Sequence, residues 1–328
     1  MSKKVWPKDF SLIYDNDMGN DIDDAFAQIM AAQAHVLGKT RLILGLSSNP
    51  NPWSVAAIDA LNRYYGVKDC PLGIHFGRVK VAWESYAPVM AGGGWLPPER
   101  VMDGVVALRR VLHQAADNSV RIVATGFAPN LSGLLRSKVN HAGDGIPFDG
   151  MELARRKTQF LSIMAGNFVA SGDPATQEGE FNVICDIPSM CDVMHDWPTD
   201  VIVSDFTIGD RVLVDWQRLK AVLKEANPLK KGYVDFYEGP SKLWRTAPDP
   251  IGNRQSWDQT SMLFALEPDG NHFGISEEGS VTVDSKGFTF FHPQAGGKRY
   301  YLKFDERHTP EAVGELLQTR YYREPVVG

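Results

Sequence analysis

Five aspartates, Asp15, Asp17, Asp21, Asp23 and Asp24, fall within ten residues of the segment Tyr14-Asp15-Asn16-Asp17-Met18-Gly19-Asn20-Asp21-Ile22-Asp23-Asp24-Ala25. Carboxylates this crowded repel one another and raise each other's pKa unless a cation compensates, and hard oxygen donors in such number suit Ca²⁺ or Mg²⁺. A helix cap uses one or two acidic residues and leaves the others unexplained. An EF-hand loop counted from Asp15 needs Gly at its sixth position and Glu at its twelfth, where this chain has Asn20 and Phe26. A bound divalent ion of another kind is the reading that remains. Outside this segment His75, near the end of a third strand, reads as a loop histidine or a substitute acid.

The elements around these residues point to an α/β fold with a doubly wound, mostly parallel sheet. Leu12–Tyr14, Arg41–Leu46, Val120–Ala124, Phe160–Met164 and Val201–Val203 are short apolar runs that read as buried strands. Between them Asp24–Val36, Val55–Tyr65, Met102–Ala116 and Asn130–Leu135 carry apolar residues at helical spacing. The acidic segment therefore lies where the first strand hands over to a helix, and ligands of such sheets bind beyond the carboxyl ends of the strands. Two stretches with no clear period, Gly77–Pro98 and Gly239–Ser256, read as long loops that wall a pocket. After Gly274 the pattern changes to period two at Ser280–Val283, Phe288–Phe291 and Arg299–Phe304, then a helix at Pro310–Thr319. The expectation is one domain over residues 1–328, with a core at 1–273 and a C-terminal β-hairpin and helix appendage at 274–328.

The 328 residues carry a net charge of -6 and no lysine- or arginine-rich run, which argues against nucleic acid and anionic membranes as partners. No stretch approaches the roughly 18 apolar residues of a membrane helix. Three cysteines without metal-finger spacing suggest neither a disulfide framework nor a zinc site. A cytoplasmic location is expected, and a removed export signal would leave the same sequence.

The acidic segment resembles the start of the inosine-uridine-preferring nucleoside hydrolase family, whose first strand ends in Asp-x-Asp-x-Gly and continues into Asp-Asp-Ala. Asp15-Asn16-Asp17-Met18-Gly19 and Asp23-Asp24-Ala25 match these halves, with two extra residues between them. Ser48-Asn49-Pro50-Asn51, Thr125-Gly126-Phe127-Ala128-Pro129-Asn130-Leu131, Met164-Ala165-Gly166-Asn167, Glu180-Phe181-Asn182 and Ser256-Trp257-Asp258-Gln259 resemble later family segments in order. An asparagine usual six residues before the glutamate is replaced by Pro174, and Asn167 is a candidate substitute.

The resemblance implies Ca²⁺ held by Asp17, Asp24, the Thr125 carbonyl and Asp258. It makes Asp17 the base that deprotonates the attacking water, and assigns Asp23, Asn51, Met164, Asn167, Glu180 and Asn182 to substrate binding. Relatives that use a His before the last aspartate as an acid for the base differ from this chain, which has Trp257 there. The purine-specific branch is similar in carrying Trp at that place, so stacking on Trp257, with Trp83 or Trp95 as the opposite face, implies purine ribonucleosides as substrates. Homodimers or homotetramers are implied by the same likeness. Two other readings stand beside it. One is a carbohydrate-binding or non-nucleoside glycoside-hydrolysing member of the fold, serving carbohydrate metabolism. The other is a haloacid-dehalogenase-type phosphatase with Asp15 as nucleophile and Asp17 as acid, which also needs a downstream lysine for phosphate.

Overall fold

The computed structural model describes residues 5–81, 83–168, 179–239 and 252–325. Seven strands, β1 (Ser11–Asn16), β2 (Arg41–Ser47), β3 (Leu72–Ile74), β4 (Val101–Asp103), β5 (Val120–Ala124), β6 (Thr158–Met164) and β7 (Asp200–Ser204), pair in parallel in the order β4-β3-β2-β1-β5-β6-β7. The chain winds outward from β1 in one direction through β2 to β4 and in the other through β5 to β7. The two halves meet between β1 and β5, which creates a switch point at the carboxyl ends of those strands.

Side-chain alternation along β1 explains its two-sided burial: Leu12 and Tyr14 enter one core, and Ile13 enters the other. The first core is shared by the helices Asp23–Val36, Pro52–Tyr64, Pro228–Glu238 and Trp257–Leu266. The second is shared by Gly104–Gln114, Pro129–Arg136, Gly150–Lys157 and Ile187–Asp196. The Asp23–Val36 helix is buried along nearly its whole length, and its interior amides are satisfied by Gln28 Nε2 donating to Asn62 Oδ1 (2.7 Å) and Gln33 Nε2 donating to the Tyr321 carbonyl (2.6 Å). The helix expected from Met102 starts at Gly104 instead, because Val101–Asp103 pairs with β3 and the Asp103 carboxylate accepts from the Val105 and Val106 N–H groups as an N-cap.

Six further strands are β8 (Leu213–Val214), β9 (Arg254–Gln255), β10 (Gly274–Ile275), β11 (Gly279–Val283), β12 (Thr289–Pro293) and β13 (Arg299–Lys303). The period-two segments form antiparallel pairs, β11 with β12 and β10 with β13. Strand β13 also pairs in parallel with β7, so the C-terminal region continues the main sheet. Of the two loops expected from the sequence, Gly77–Pro98 holds a short helix at Ala87–Met90, while residues 240–251 of the other lie outside the described residues. Strand β9, at the end of that second loop, pairs antiparallel with β8. No helix among the described residues is long and apolar enough to cross a membrane.

Candidate active site

The acidic turn after β1 and the turn after β5 face each other at the switch point, and a cavity of about 440 Å³ opens there. Asp17, Asn20, Asp21, Asp23, Thr125 and Asp258 form its acidic floor, while Phe181, Phe206, Trp257 and Phe288 supply aromatic wall. Asp23, Asp24 and Asp258 each offer a carboxylate oxygen within 4.8 Å of the others, and all three are buried. Burial, reinforced by the neighbouring aspartates, holds each of their pKa values well above the ordinary carboxylate range. Asp24 and Asp258 lie within hydrogen-bonding reach of each other, a contact that only a shared proton or a cation makes favourable. Arg254 acts on Asp23, but its ion pair is with Asp21, and the three buried carboxylates fit a hard divalent ion.

The backbone locks this cluster in place. The Asp17 N–H donates to Asp24 Oδ1 (3.2 Å), and the Asp258 N–H donates to Asp23 Oδ2 (3.1 Å), which ties the β1 turn to the start of the Trp257–Leu266 helix. Tyr14 Oη is 2.9 Å from Thr125 Oγ1 and bridges β1 to β5. Asn182 Nδ2 donates to the Thr125 carbonyl (2.9 Å) and to the Met164 carbonyl (3.3 Å). The Asp17 carboxylate lies beside this group, its charge raising the pKa of both Asp24 and Asp258, and accepts from Asn20 Nδ2; burial raises its own pKa to about 7 against that bond.

The profile of the family described as inosine-uridine preferring nucleoside hydrolase matches residues 12–309. The chain belongs to that family. As a nucleoside hydrolase it is an enzyme of the N-ribohydrolase kind. Among solved structures, an inosine-uridine preferring nucleoside hydrolase from Bacillus anthracis shares 14% identity at a TM-score of 0.69, covering 96% of this chain and 100% of the other. A purine-preferring ribonucleoside hydrolase from Gardnerella vaginalis shares 16% at 0.66, covering 94% and 97%. The type III effector protein XopQ, solved with adenosine diphosphate ribose, shares 13% at 0.63, covering 98% and 95%. At these identities the likeness speaks for the fold. The curated proteins give no match.

Within this nucleoside hydrolase, Asp17, Asp23, Thr125, Met164, Asn167, Glu180, Asn182, Trp257 and Asp258 all line the cavity, and Asp24 sits in the carboxylate group beneath it. Glu180 caps the Phe181–Cys185 helix, accepting from the N–H groups of Gly166 (3.0 Å), Asn182 (2.9 Å) and Val183 (3.3 Å). Two residues singled out from the sequence lie off the cavity wall. Asn51 caps the Pro52–Tyr64 helix by accepting from the Trp53 N–H (3.0 Å), and Trp83 packs behind Phe181 with ring centroids 6.0 Å apart. His75 and Trp95 are likewise absent from the described lining; Trp95 packs edge-on against Trp53. Asp15 faces away: both its carboxylate oxygens accept from Asn130 Nδ2 (3.1 and 3.2 Å), and it does not line the cavity.

Sequence reasoning missed Asn20, Asp21, Phe206, Arg254 and Phe288 as wall residues. The signal that pointed to the first two was the two-residue extension between Gly19 and Asp23. Arg254 pairs with Asp21, its Nε donating to Oδ1 (3.0 Å) and its Nη2 to Oδ2, and its guanidinium carbon lies 5.3 Å from the Trp257 ring centroid. Nothing in its local pattern marks it, since it lies within the aperiodic Gly239–Ser256 stretch.

Proposed function

We propose that this nucleoside hydrolase cleaves the N-glycosidic bond of ribonucleosides, purines preferred, in a Ca²⁺-dependent reaction, with Asp17, Asp24, Asp258 and the Thr125 carbonyl as the ion's protein ligands. The observation that carries the reading is the buried carboxylate group opening directly into an aromatic-walled cavity at the β1–β5 switch point. An ion bound there supplies the positive charge that grips the vicinal ribose hydroxyls and makes a nearby water more acidic. Asp17 accepts the proton of the attacking water as the general base. Asp23, Asn167, Glu180 and Asn182 orient the sugar, and orientation supplies several kcal/mol of barrier lowering. Trp257, stacked on Phe206 at 5.4 Å and 29°, offers a flat face for the base.

The test is release of reducing sugar from inosine, guanosine, uridine and p-nitrophenyl riboside, with Ca²⁺ or with chelator, for the wild type and Asp17→Ala. Calcium-dependent turnover, fastest on the purines and lowered about 100-fold or more in the variant, is the expected result. Binding of calcium without turnover of any riboside overturns the reading in favour of a sugar-binding role.

A further inference from the structure

We propose that Arg254, clamped by Asp21, is the group that stabilises the departing base. The assignment rests on the hydrolase reading above and adds the element that reading lacks. The residue before Asp258 is Trp257, which has no proton to give at neutral pH, and the described cavity lining contains no His, Lys, Cys or Tyr. Among those described residues Arg254 alone carries a positive charge together with its N–H donors at every working pH.

Its placement is built rather than incidental. The ion pair with Asp21 engages Nε and Nη2 and leaves Nη1 outside it. The guanidinium lies over both Trp257 (5.3 Å) and Phe236 (5.4 Å), against the ring proposed to stack on the base. Trp257 is fixed in turn by its Nε1 donating to the Phe206 carbonyl (3.0 Å), and Asp21 by Tyr86 Oη donating to its carbonyl. Asp21 belongs to the extended turn between Gly19 and Asp23, so the extra length of that turn is what brings the clamp to the wall.

In the reaction, the C1′–N bond breaks with both electrons passing to the base. The water oxygen bonds to C1′ and its proton goes to Asp17. The guanidinium donates to an acceptor on the base edge as negative charge develops there, and the base then takes a proton from solvent. A preset donor in a secluded site acts on the transition state without itself transferring a proton. The substrates that depend on it are ribosides of poor leaving groups with an acceptor on the ring edge, such as purines. A nitrophenolate leaves without such help.

The experiment measures kcat and KM on inosine and on p-nitrophenyl riboside for the wild type, Arg254→Met, Arg254→Lys and Asp21→Asn, with calcium titration calorimetry to show that the carboxylate group is intact. Arg254→Met is expected to lose about 100-fold in kcat on inosine and about tenfold less than that on the nitrophenyl substrate. Asp21→Asn should show the same split in milder form, and Arg254→Lys should recover part of the inosine loss. Equal losses on both substrates with calcium binding retained, or a lysine variant no better than methionine, overturn the proposal. A wild type inert on both substrates overturns the hydrolase reading, and this assignment with it.

Discussion

Glu180 shows how one side chain serves both the fold and the site. Its carboxylate accepts three backbone N–H groups around the Phe181–Cys185 helix, and burial still pushes its pKa to about 7. Glu180→Gln keeps the shape but turns an N–H donor toward N–H groups that need an acceptor. The variant is expected to unfold with about 1–2 kcal/mol less stability in urea titrations, as loss of a buried cap and its partner generally gives, together with a raised KM for inosine. An unchanged midpoint would mean that the cap is dispensable. The Glu-Phe-Asn segment was legible as a site motif, yet its capping geometry was not, because hydrogen bonds to Gly166 depend on a turn 14 residues away. The asparagines after β2 show the converse. Two candidates stood in the sequence, but Asn51 caps a helix and Asn49 spends its amide on the Met18 (3.1 Å) and Trp83 (2.7 Å) carbonyls, so neither lines the cavity.

At the scale of elements, the site depends on how closely the turns after β1 and β5 approach. A Cβ built on Gly126 would stand 2.7 Å from both the Asp17 nitrogen and Asp17 Cβ, and 2.5 Å from Ser48 Oγ. Gly126→Ala must therefore push the Asp17 turn away from Thr125. A loss of about 1–3 kcal/mol in stability is expected from the overpacking, with kcat and calorimetrically measured calcium affinity falling together, because Asp17 is both the proposed base and a proposed ligand of the ion. Full activity in that variant would show that the approach is slack. The strands making this junction were readable because β1, β5 and β6 carry short, mostly apolar runs buried on both faces. Three-residue strands such as β3 and β4 are too short to show a period, and the two-residue β9, which positions Arg254, is defined only by its pairing with β8.

For the molecule as a whole, collecting buried carboxylates at one switch point makes stability depend on protons and on metal together. Burial raises Asp15 to about 8 and both Asp17 and Glu180 to about 7, and Asp23, Asp24 and Asp258 move in the same direction. In the unfolded chain these groups titrate near 4. Between those limits the folded protein without metal binds more protons than the unfolded one, so the contribution is fully present at low pH and is lost as pH rises through about 7 to 8. A divalent ion opposes that loss, since it binds the ionised cluster of the folded state and stabilises by mass action. Thermal unfolding in chelator should therefore give a Tm that falls between pH 6 and pH 8.5, by an amount calorimetry can resolve, with a smaller fall in millimolar calcium. The increment produced by calcium then grows with pH. Asp24→Asn relieves part of the repulsion, so its Tm in chelator should fall less over the same range, while its calcium increment shrinks. A calcium increment that is flat or decreases with pH would mean that the carboxylates are not what holds the ion, and the metal would have to be sought elsewhere on the chain.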